Sequence, residues 1–501
     1  MKEKGKTMEG TWDSMASEDH TINSGSSNPD YEIVKHIKID IKNEPEDPNL
    51  KKWNIYKVPC NLRSLNESAY TPQLISIGPL HYGREKLNPM QTQKLLYLKF
   101  FRRRVKNNLD QFKQYLTSKE ADIRQCYAEK LRYDIDKVKY DIDEEKLVEM
   151  MLLDSVFIME LFLRVQRQKS EEDNKNGKNV EKQTYPDDII MKQSWLNKSI
   201  QRDLLLLENQ IPLFILQELY NIVPDKKRTS FIELAHDYFD CYHAYKKAES
   251  CSDQETAASS SSNGKPSKDK PQHFTDLIRS FYICKNLDDF KKRYPFKNAT
   301  KLRESGVSFE KEKVDYKPLL DIKFEKIAIL SWFLCLGCFP NFTYFQARLQ
   351  IPELKVDDTT ECVLRNLIAF EQCHYPNQPY ICSYVSFIDS LIHTKDDVEL
   401  LVEKEVIRHE LGSHKEVATL VNGLCKYVVS DKTCYADKIK SLNEHYQNQW
   451  YRTIAALRLV YFRDTWRASS TLAGIVVLAF TIFNFWRVVR LVLDLDRRGR
   501  P

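Results

Sequence analysis

Glycine is scarce in this chain, which has 13 glycines among 501 residues. Folds that cradle nucleotide phosphates on glycine-rich loops need a close backbone approach that only glycine permits. A G-x-S-x-G sequence, which marks the nucleophile of many serine hydrolases, is also missing. The composition therefore argues against Rossmann and P-loop chemistry and gives no sign of a serine nucleophile.

A strong excess of one charge is missing as well. The chain has 76 Lys and Arg against 71 Asp and Glu, a net charge of +5. Nucleic-acid binding needs a strongly basic face, so no nucleic-acid partner is predicted. The first 20 residues contain no apolar run, so no cleavable signal peptide is predicted. The 12 cysteines are scattered, which fits reduced thiols better than the dense disulfide framework of small secreted domains.

One long apolar run is present, at residues 468–486. It contains no charged side chain and lies between Arg467 and Arg487. As a helix it would rise about 28 Å, close to the thickness of a bilayer core. The run predicts a transmembrane helix followed by a short basic tail, residues 487–501. The other interpretation is a buried core helix of a soluble protein.

The rest of the chain predicts a mainly α fold with a minor β element. Residues 1–45 are polar and predict a disordered leader, and 46–466 form a large helical domain. A low-complexity insert, 246–273, predicts a flexible loop. Alternating apolar residues at 319–326 and a second stretch at 347–358 predict a small sheet. Helices are predicted at 91–116, 144–167, on both sides of Pro212, and at 231–247, 361–370, 383–392, 396–409, 415–429 and 437–459.

Three acids lie among apolar residues. Asp154 interrupts MMLLDSVFIMEL, and Asp203 and Glu208 flank four leucines. Such carboxylates have raised pKa values in some hydrolases and transferases, where they act as general acids or bases. Buried acids more often pair with arginine or cap a backbone end, here with Arg202 or Arg164 as partner. The structural role is preferred, and the enzymatic alternative requires the three acids to meet at one pocket.

Metal and catalytic motifs are weak. Cys335 and Cys338 have zinc-like spacing, but the remaining candidates, Cys373, His374 and Cys382, match no zinc motif. The pairs His236 with His243 and His409 with His414 lack the four-residue helical spacing of metal ligands. We therefore predict no catalytic, cofactor-binding or metal-binding residues and no cofactor.

The turn-rich stretch SIGPLHYG, residues 76–83, has glycine and proline where backbone shape matters. We interpret it as a structural clasp over the helical core in which His81 packs or forms hydrogen bonds. A recognition surface is the alternative, because loops on rigid scaffolds often bind partners. Four N-x-S/T sequons, at Asn66, Asn197, Asn298 and Asn341, matter only if the body is lumenal.

The order of motifs resembles the plant DUF247 family, also called UPF0481. The resemblance is carried by YKVPCNL, AYTPQLISIGPLHYG, LLDSVFIMELF, RDLLLLENQIPLFILQELY, ATKLRESGVSF, LLDIKF, RNLIAFEQC, YVSFIDSLIHTKDDVELL and YFRDTW. Two stretches depart from the family pattern. SIGPLHYG replaces the usual SIGPYHHG, and the apolar segment 327–351 replaces a short link, as a misjoined exon in the gene model would.

The resemblance implies a plant protein with one C-terminal transmembrane segment, usually in the plasma membrane. No enzymatic activity is established for the family, and some grass members are implicated in self-incompatibility. We therefore expect a membrane-anchored, non-enzymatic recognition or signalling protein with an unidentified protein partner. The side of the membrane that carries the body stays open, although tail-anchored insertion with a cytosolic body is the simplest outcome.

Overall fold

The computed structural model describes residues 52–106, 109–135, 138–173, 188–223, 229–242, 270–284, 287–312, 318–330, 343–461 and 465–498. The predicted leader, most of the low-complexity insert, Cys335, Cys338, Asn341 and the last residues of the basic tail lie outside these ranges. Helices dominate the described residues, and the strands are short, so the mainly α prediction is confirmed.

The helices before the insert are α1 (Cys60–Arg63), α2 (Pro89–Arg104), α3 (Asp110–Ser118), α4 (Glu120–Gln125), α5 (Glu144–Asp173), α6 (Ile189–Lys192), α7 (Ser194–Leu204), α8 (Leu213–Ile222) and α9 (Phe231–Tyr238). Helices after it are α10 (Phe274–Tyr282), α11 (Ala299–Glu304), α12 (Thr360–His374), α13 (Tyr380–Leu391), α14 (Lys395–Glu403), α15 (His414–Leu424), α16 (Ala436–Gln447), α17 (Gln449–Tyr461) and α18 (Thr465–Arg498).

The strands are β1 (Arg132–Ile135), β2 (Val138–Asp141), β3 (Lys291–Lys292), β4 (Val307–Lys311), β5 (Lys323–Leu330), β6 (Thr343–Ile351), β7 (Leu354–Val356), β8 (Ile407–His409) and β9 (Lys432–Thr433). The predicted small sheet has the order β4-β6-β5. Its β5 and β6 are antiparallel, with Phe324 opposite Leu349, and β4 pairs with β6 in parallel. The remaining strands form three separate pairs: β1 with β2, β3 with β9, and β7 with β8.

Helix α5 organises the first half of the core. It packs against α2, α3, α8 and α9. Its central residues, including Val156, Phe157, Ile158 and Met159, are fully buried. A helix that is apolar on every side must be surrounded by protein, as the sequence predicts here. The helix begins at the predicted residue, Glu144, and runs further than predicted, to Asp173.

The long helix predicted at 91–116 is wrong, because α2 ends at Arg104 and α3 begins at Asp110. Lys106, between them, has a φ of 53°, a left-handed conformation that stops a helix. Four further predicted helices are too long: α9 ends at Tyr238 instead of 247, and α15 ends at Leu424 instead of 429. Residues 407–409 form β8 instead of continuing α14, and Asn448 separates α16 from α17. In each case apolar periodicity continues across the break, so periodicity alone cannot locate it.

The end of the predicted flexible insert is part of the core. Leu213 donates its backbone N–H to the oxygen of Gln272, at 2.7 Å. His273 is fully buried, and its Nε2 lies 2.9 Å from the backbone oxygen of Asn54. The predicted loop therefore extends too far, because Gln272 and His273 make contacts within the body. The polar composition of GKPSKDKPQH does not predict this buried attachment, because the contacts are made with residues distant in the sequence.

His273 makes stability dependent on pH. Burial, with repulsion from His374, lowers the pKa of His273 to about 3. An unfolded histidine titrates near pH 6.5, so only the unfolded chain takes up this proton as the pH falls from about 6.5 towards 3. The free energy of unfolding should therefore drop by about 2 kcal/mol between pH 7 and pH 5 on account of this residue.

Urea unfolding of the full chain in detergent at both pH values measures this loss. The variant His273→Gln should show a smaller difference between the two pH values, whereas His393→Gln, at an exposed histidine, should not. Equal pH dependence in His273→Gln and the unaltered chain would contradict the assignment.

The C-terminal helix α18 contains one long apolar segment. Its segment Ser469–Leu491 has a mean hydropathy of 2.0 and is not buried inside the protein. Apolar side chains such as Val476, Phe480 and Phe485 are more than half exposed. The alternative of a buried core helix is therefore wrong, and α18 is long and apolar enough to cross a membrane.

Candidate functional site: a buried polar clasp

The three acids singled out in the sequence all bind one segment, residues 72–83, which we call the clasp. The clasp includes SIGPLHYG and has no regular secondary structure apart from turns. Most of it is buried, including every residue from Ile75 to Pro79. An extended segment in a core that pairs with no neighbouring strand leaves its backbone N–H and C=O groups without partners. Side chains must then supply the hydrogen bonds. The buried acids serve that purpose.

Asp203 holds the start of the clasp. Its Oδ2 accepts the backbone N–H groups of Gln73, Leu74 and Ile75, at 3.0, 2.7 and 3.1 Å. Its Oδ1 accepts from Arg202 at 2.9 Å. Burial raises the pKa of the Asp203 carboxyl, and the three N–H groups oppose that rise. The carboxylate thus acts as a receptor for three consecutive backbone donors.

Asn209 holds the next two residues of the clasp. Its Oδ1 accepts the N–H of Ile77 at 2.7 Å, and its Nδ2 donates to the oxygen of Ile75 at 3.0 Å. The same Nδ2 donates to the backbone oxygen of Asp203 at 2.9 Å. An amide supplies both a donor and an acceptor, so this asparagine replaces a neighbouring strand at the clasp.

Asp154 and Lys94 hold the turn of the clasp. Asp154 accepts the N–H of Gly78 on Oδ2 at 2.8 Å and the Lys94 ammonium on Oδ1 at 2.5 Å. Lys94 also donates to the backbone oxygen of Ser76 at 2.5 Å. Both side chains are 2% exposed. Such a buried pair is favourable only when further hydrogen bonds satisfy its remaining donors and acceptors, as Gly78 and Ser76 do here.

Glu208 binds the end of the clasp to the N-terminal part of the body. Its Oε1 accepts the N–H of Val58 at 2.7 Å and a guanidinium N–H of Arg63. Its Oε2 lies 3.3 Å from Nε2 of His81. Burial opposes ionisation of Glu208, but His81 and Arg63 lower its pKa below the ordinary value. Burial lowers the pKa of His81, and the neighbouring Glu208 carboxylate opposes that shift.

Gly78 allows the clasp to touch the loop between α7 and α8. Its φ is +67°, and a Cβ at this position would overlap the backbone oxygen of Gln210 and lie 3.1 Å from Oη of Tyr127. Tyr127 donates to that same oxygen at 2.9 Å. Only glycine has both the required conformation and the required absence of a side chain.

The loop that receives the clasp, residues 205–212, is itself buried and fixed by hydrogen bonds from side chains. Gln210 donates to the oxygens of Leu204 and Leu206, at 2.6 and 2.8 Å, and accepts the N–H of Phe274 at 3.0 Å. Asn366 on α12 accepts the N–H of Leu207 at 2.9 Å. The clasp and this loop therefore connect the helices before the insert to those after it.

The structure brings Asp154, Asp203 and Glu208 to one element, but as backbone anchors. They are 1%, 0% and 4% exposed. Of the two partners suggested from the sequence, Arg202 binds Asp203, whereas Arg164 binds Glu160 and Asp188 instead of Asp154. Sequence reasoning missed Lys94, Asn209, Gln210 and Asn366. Lys94 had a signal, because it lies on the buried stripe of α2 with Met90, Tyr97 and Phe101.

The other candidate residues have ordinary environments. The rings of His409 and His414 are 5.1 Å apart in an edge-to-face arrangement, and Cys382 is buried. His374 stacks on Phe370 and makes a hydrogen bond with the Tyr56 hydroxyl at 3.0 Å. His236 packs on Phe281, and His243 lies outside the described residues. Within the described ranges, no group of three or more His, Cys, Asp or Glu side chains is arranged to hold a metal ion.

Comparison with known proteins gives one family. The model of DUF247, described as a plant protein of unknown function, matches residues 55–480. The chain is 28% identical to UPF0481 protein At3g47200 of Arabidopsis thaliana, over 89% of this chain and 88% of that protein. It is 24% identical to the putative UPF0481 protein At3g02645 of the same plant, over 90% of this chain and 93% of that protein. No solved structure matches the chain.

Proposed function

Because this chain belongs to the DUF247 family of plant proteins of unknown function, we propose that it is a membrane-anchored, non-enzymatic protein that recognises another protein. Its described body is a helical scaffold closed by the clasp, and α18 is its anchor. The proposed site of anchorage is the plasma membrane, with the body in the cytosol. The observation that carries the proposal is the exposed apolar segment of α18.

The ends of α18 support the anchor. Trp466 precedes the apolar segment and is 82% exposed, and Trp486 lies near its far end and is 58% exposed. The two tryptophans are separated by a helical rise of about 30 Å, which equals the hydrocarbon thickness of a bilayer. Arg467 and Arg487 stand next to them. Tryptophan and arginine at both boundaries are typical of a helix that spans a membrane.

The hydrogen bonds that the buried carboxylates already accept from the protein support a non-enzymatic role. A general acid or base must reach a substrate, and a catalytic carboxylate needs an oxygen available for the proton. In Asp154, Asp203 and Glu208, the oxygens accept hydrogen bonds from backbone N–H groups, Lys94, Arg202 and Arg63. A surface pocket of about 510 Å³ exists elsewhere, lined by residues such as His393, Lys395 and Lys415. None of the three acids lines it.

The sequons favour a cytosolic body. The Nδ2 of Asn298 donates to both oxygens of Asp397, at 2.9 and 3.0 Å, and the Nδ2 of Asn66 donates to Glu361 at 3.1 Å. N-glycosylation attaches the sugar to this nitrogen, so it would disrupt both contacts. The Oδ1 of Asn197 accepts from the Tyr238 hydroxyl at 2.8 Å. These side chains work as structural groups, as expected of a body that never enters the lumen.

Sealed microsomes test the proposal. The chain should resist alkaline carbonate extraction, its body should be digested by added protease, and deglycosylation should leave its mobility unchanged. Deletion of residues 469–491 should release the chain into the carbonate supernatant. A protected and glycosylated body would place it on the lumenal side instead, and extraction of the intact chain would remove the anchor altogether.

A further inference from the structure

Helix α2 carries positive charge on the side opposite to its buried stripe. Four exposed residues, Leu95, Lys99, Arg102 and Arg103, occupy about 100° of the helix circumference. We call these four residues the basic face. One helix of 16 residues carries all of them, so their common direction follows from helix geometry.

The charges of the basic face have no carboxylate partner. Residues 89–109 contain six Lys and Arg and no Asp or Glu. Lys94 and Arg104 are paired with acids of α5. Among the residues that the structure describes, the three cations of the basic face form no ion pair, and neither does the exposed Lys106 just beyond the helix. Arg103 lies 5.9 Å from the ring centroid of Phe100 on the same helix and stays exposed.

The helix dipole accounts for only part of this arrangement. Cations are favourable in the last turn of a helix, where Arg102, Arg103 and Arg104 lie. Lys99 lies before that turn. It is three residues from Arg102 and four from Arg103, and like charges at these spacings repel each other and destabilise a helix. An acidic partner would remove this repulsion.

We propose that the basic face binds an acidic segment of a partner protein. The inference rests on the proposed function, because it names the chemistry of the protein that the chain would recognise. Carboxylates three and four residues apart in a helix have the spacing of Lys99, Arg102 and Arg103. Each arginine offers a fork of N–H donors that matches a carboxylate. Leu95, which is 57% exposed, adds an apolar contact at one end.

The size and composition of the basic face favour a protein partner over nucleic acid or lipid. From Leu95 to Arg103 the face is about 12 Å long and one helix wide. Proteins that bind duplex DNA contact about 6–10 phosphates, which needs a larger basic surface. A helix that lies on a bilayer inserts a broad apolar side. The apolar side of α2 is packed in the core, so only Leu95 could enter lipid.

Fluorescence anisotropy of the full chain in neutral detergent tests the basic face. The probe is a labelled helical peptide with glutamates three and four residues apart and a single leucine, and the control peptide has glutamine in place of glutamate. The acidic peptide should bind about ten-fold more tightly than the control peptide, and added salt should weaken its binding. Equal affinity for the two peptides would overturn the proposal.

Two double variants separate the basic face from net charge. Arg102→Glu with Arg103→Glu should weaken binding of the acidic peptide about ten-fold or more. Lys415→Glu with Lys440→Glu reverses two exposed lysines of α15 and α16 and changes the net charge equally, but should leave the affinity within about two-fold. Urea unfolding should give both variants the midpoint of the unaltered chain. Equal loss of affinity in the two double variants would show that net charge alone attracts the peptide.

The apolar contact and the class of partner are tested in the same assay. Leu95→Ala should weaken peptide binding about five-fold, whereas Trp195→Ala, at a residue of α7 that is 61% exposed, should not. A short DNA duplex and soluble dihexanoyl phosphatidylserine serve as competitors. If either displaced the peptide at a lower concentration than unlabelled peptide does, nucleic acid or lipid would be the better occupant and the proposal would be overturned.

Carbonate extraction distinguishes failure of the basic face from failure of the anchor. A chain that stays in the membrane but binds no acidic peptide overturns only the basic face. A chain that is extracted but binds the peptide through Arg102 and Arg103 overturns only the anchor.

Discussion

Gly78→Ala should destabilise the full chain by about 4 kcal/mol, among the largest effects of a single methyl group. The added Cβ would meet the Gln210 oxygen in a position already occupied by the Tyr127 hydroxyl bond, and alanine is strained at a φ of +67°. Relief requires the clasp to move, which lengthens the bond from Gly78 N–H to Asp154. Urea unfolding in detergent, followed by tryptophan fluorescence, measures the loss.

Gly412→Ala is the matched control for this substitution. A Cβ at Gly412 would meet only the flexible carboxylate of Glu416, at 3.4 Å, and its backbone is not left-handed. We expect a change within about 0.5 kcal/mol at this position. A similar small change in Gly78→Ala would show that the clasp can shift without cost, contrary to its role as a fixed element of the core.

Asp203→Ala should cost a similar amount, about 4 kcal/mol, because it removes the acceptor of three backbone N–H groups at once. The N–H of Ile75 is buried, so loss of the carboxylate leaves this donor without its acceptor and shielded from solvent. Arg202, 13% exposed, would lose its ion pair as well. The same urea unfolding measures the effect, and limited proteolysis should show faster cleavage near the clasp.

Two further substitutions serve as comparisons for the loss of stability in Asp203→Ala. Asp203→Asn keeps one carbonyl oxygen as an acceptor and should fall between the alanine variant and the unaltered chain. Asp396→Ala removes an exposed acid from the first turn of α14 and should cost less than about 1 kcal/mol. If Asp203→Ala were no worse than Asp396→Ala, the carboxylate would not be the anchor of the clasp.

Several features of the body could be predicted from sequence because their causes are local. The core helix α5 follows from an uninterrupted apolar run, and the break before α8 follows from Pro212, which precedes its first turn. Alternating residues located the sheet, with β5 displaced by a few residues from the predicted strand. The family followed from the order of motifs over most of the chain.

The candidate site could be predicted only in part. Asp154, Asp203 and Glu208 were recognisable because acids in apolar runs need partners. The partners of these acids could not be recognised, because they come from distant positions. Gln73, for example, is 130 residues from Asp203 in the sequence. Backbone N–H groups are the main partners here, and every residue except proline has one, so residue type carries no signal.

The sequence by itself determined the apolar C-terminal segment, the mainly helical body and the family, since each depends on the order of residues along the chain. Tertiary structure alone decided what the buried acids do. A carboxylate in an apolar run favours a structural role, but catalysis stays an alternative until its neighbours in space are known. The fold surrounds Asp203 with backbone donors and Asp154 with Lys94 and Gly78. These contacts make the acids the anchors of the clasp, because burial demands a partner for every charge.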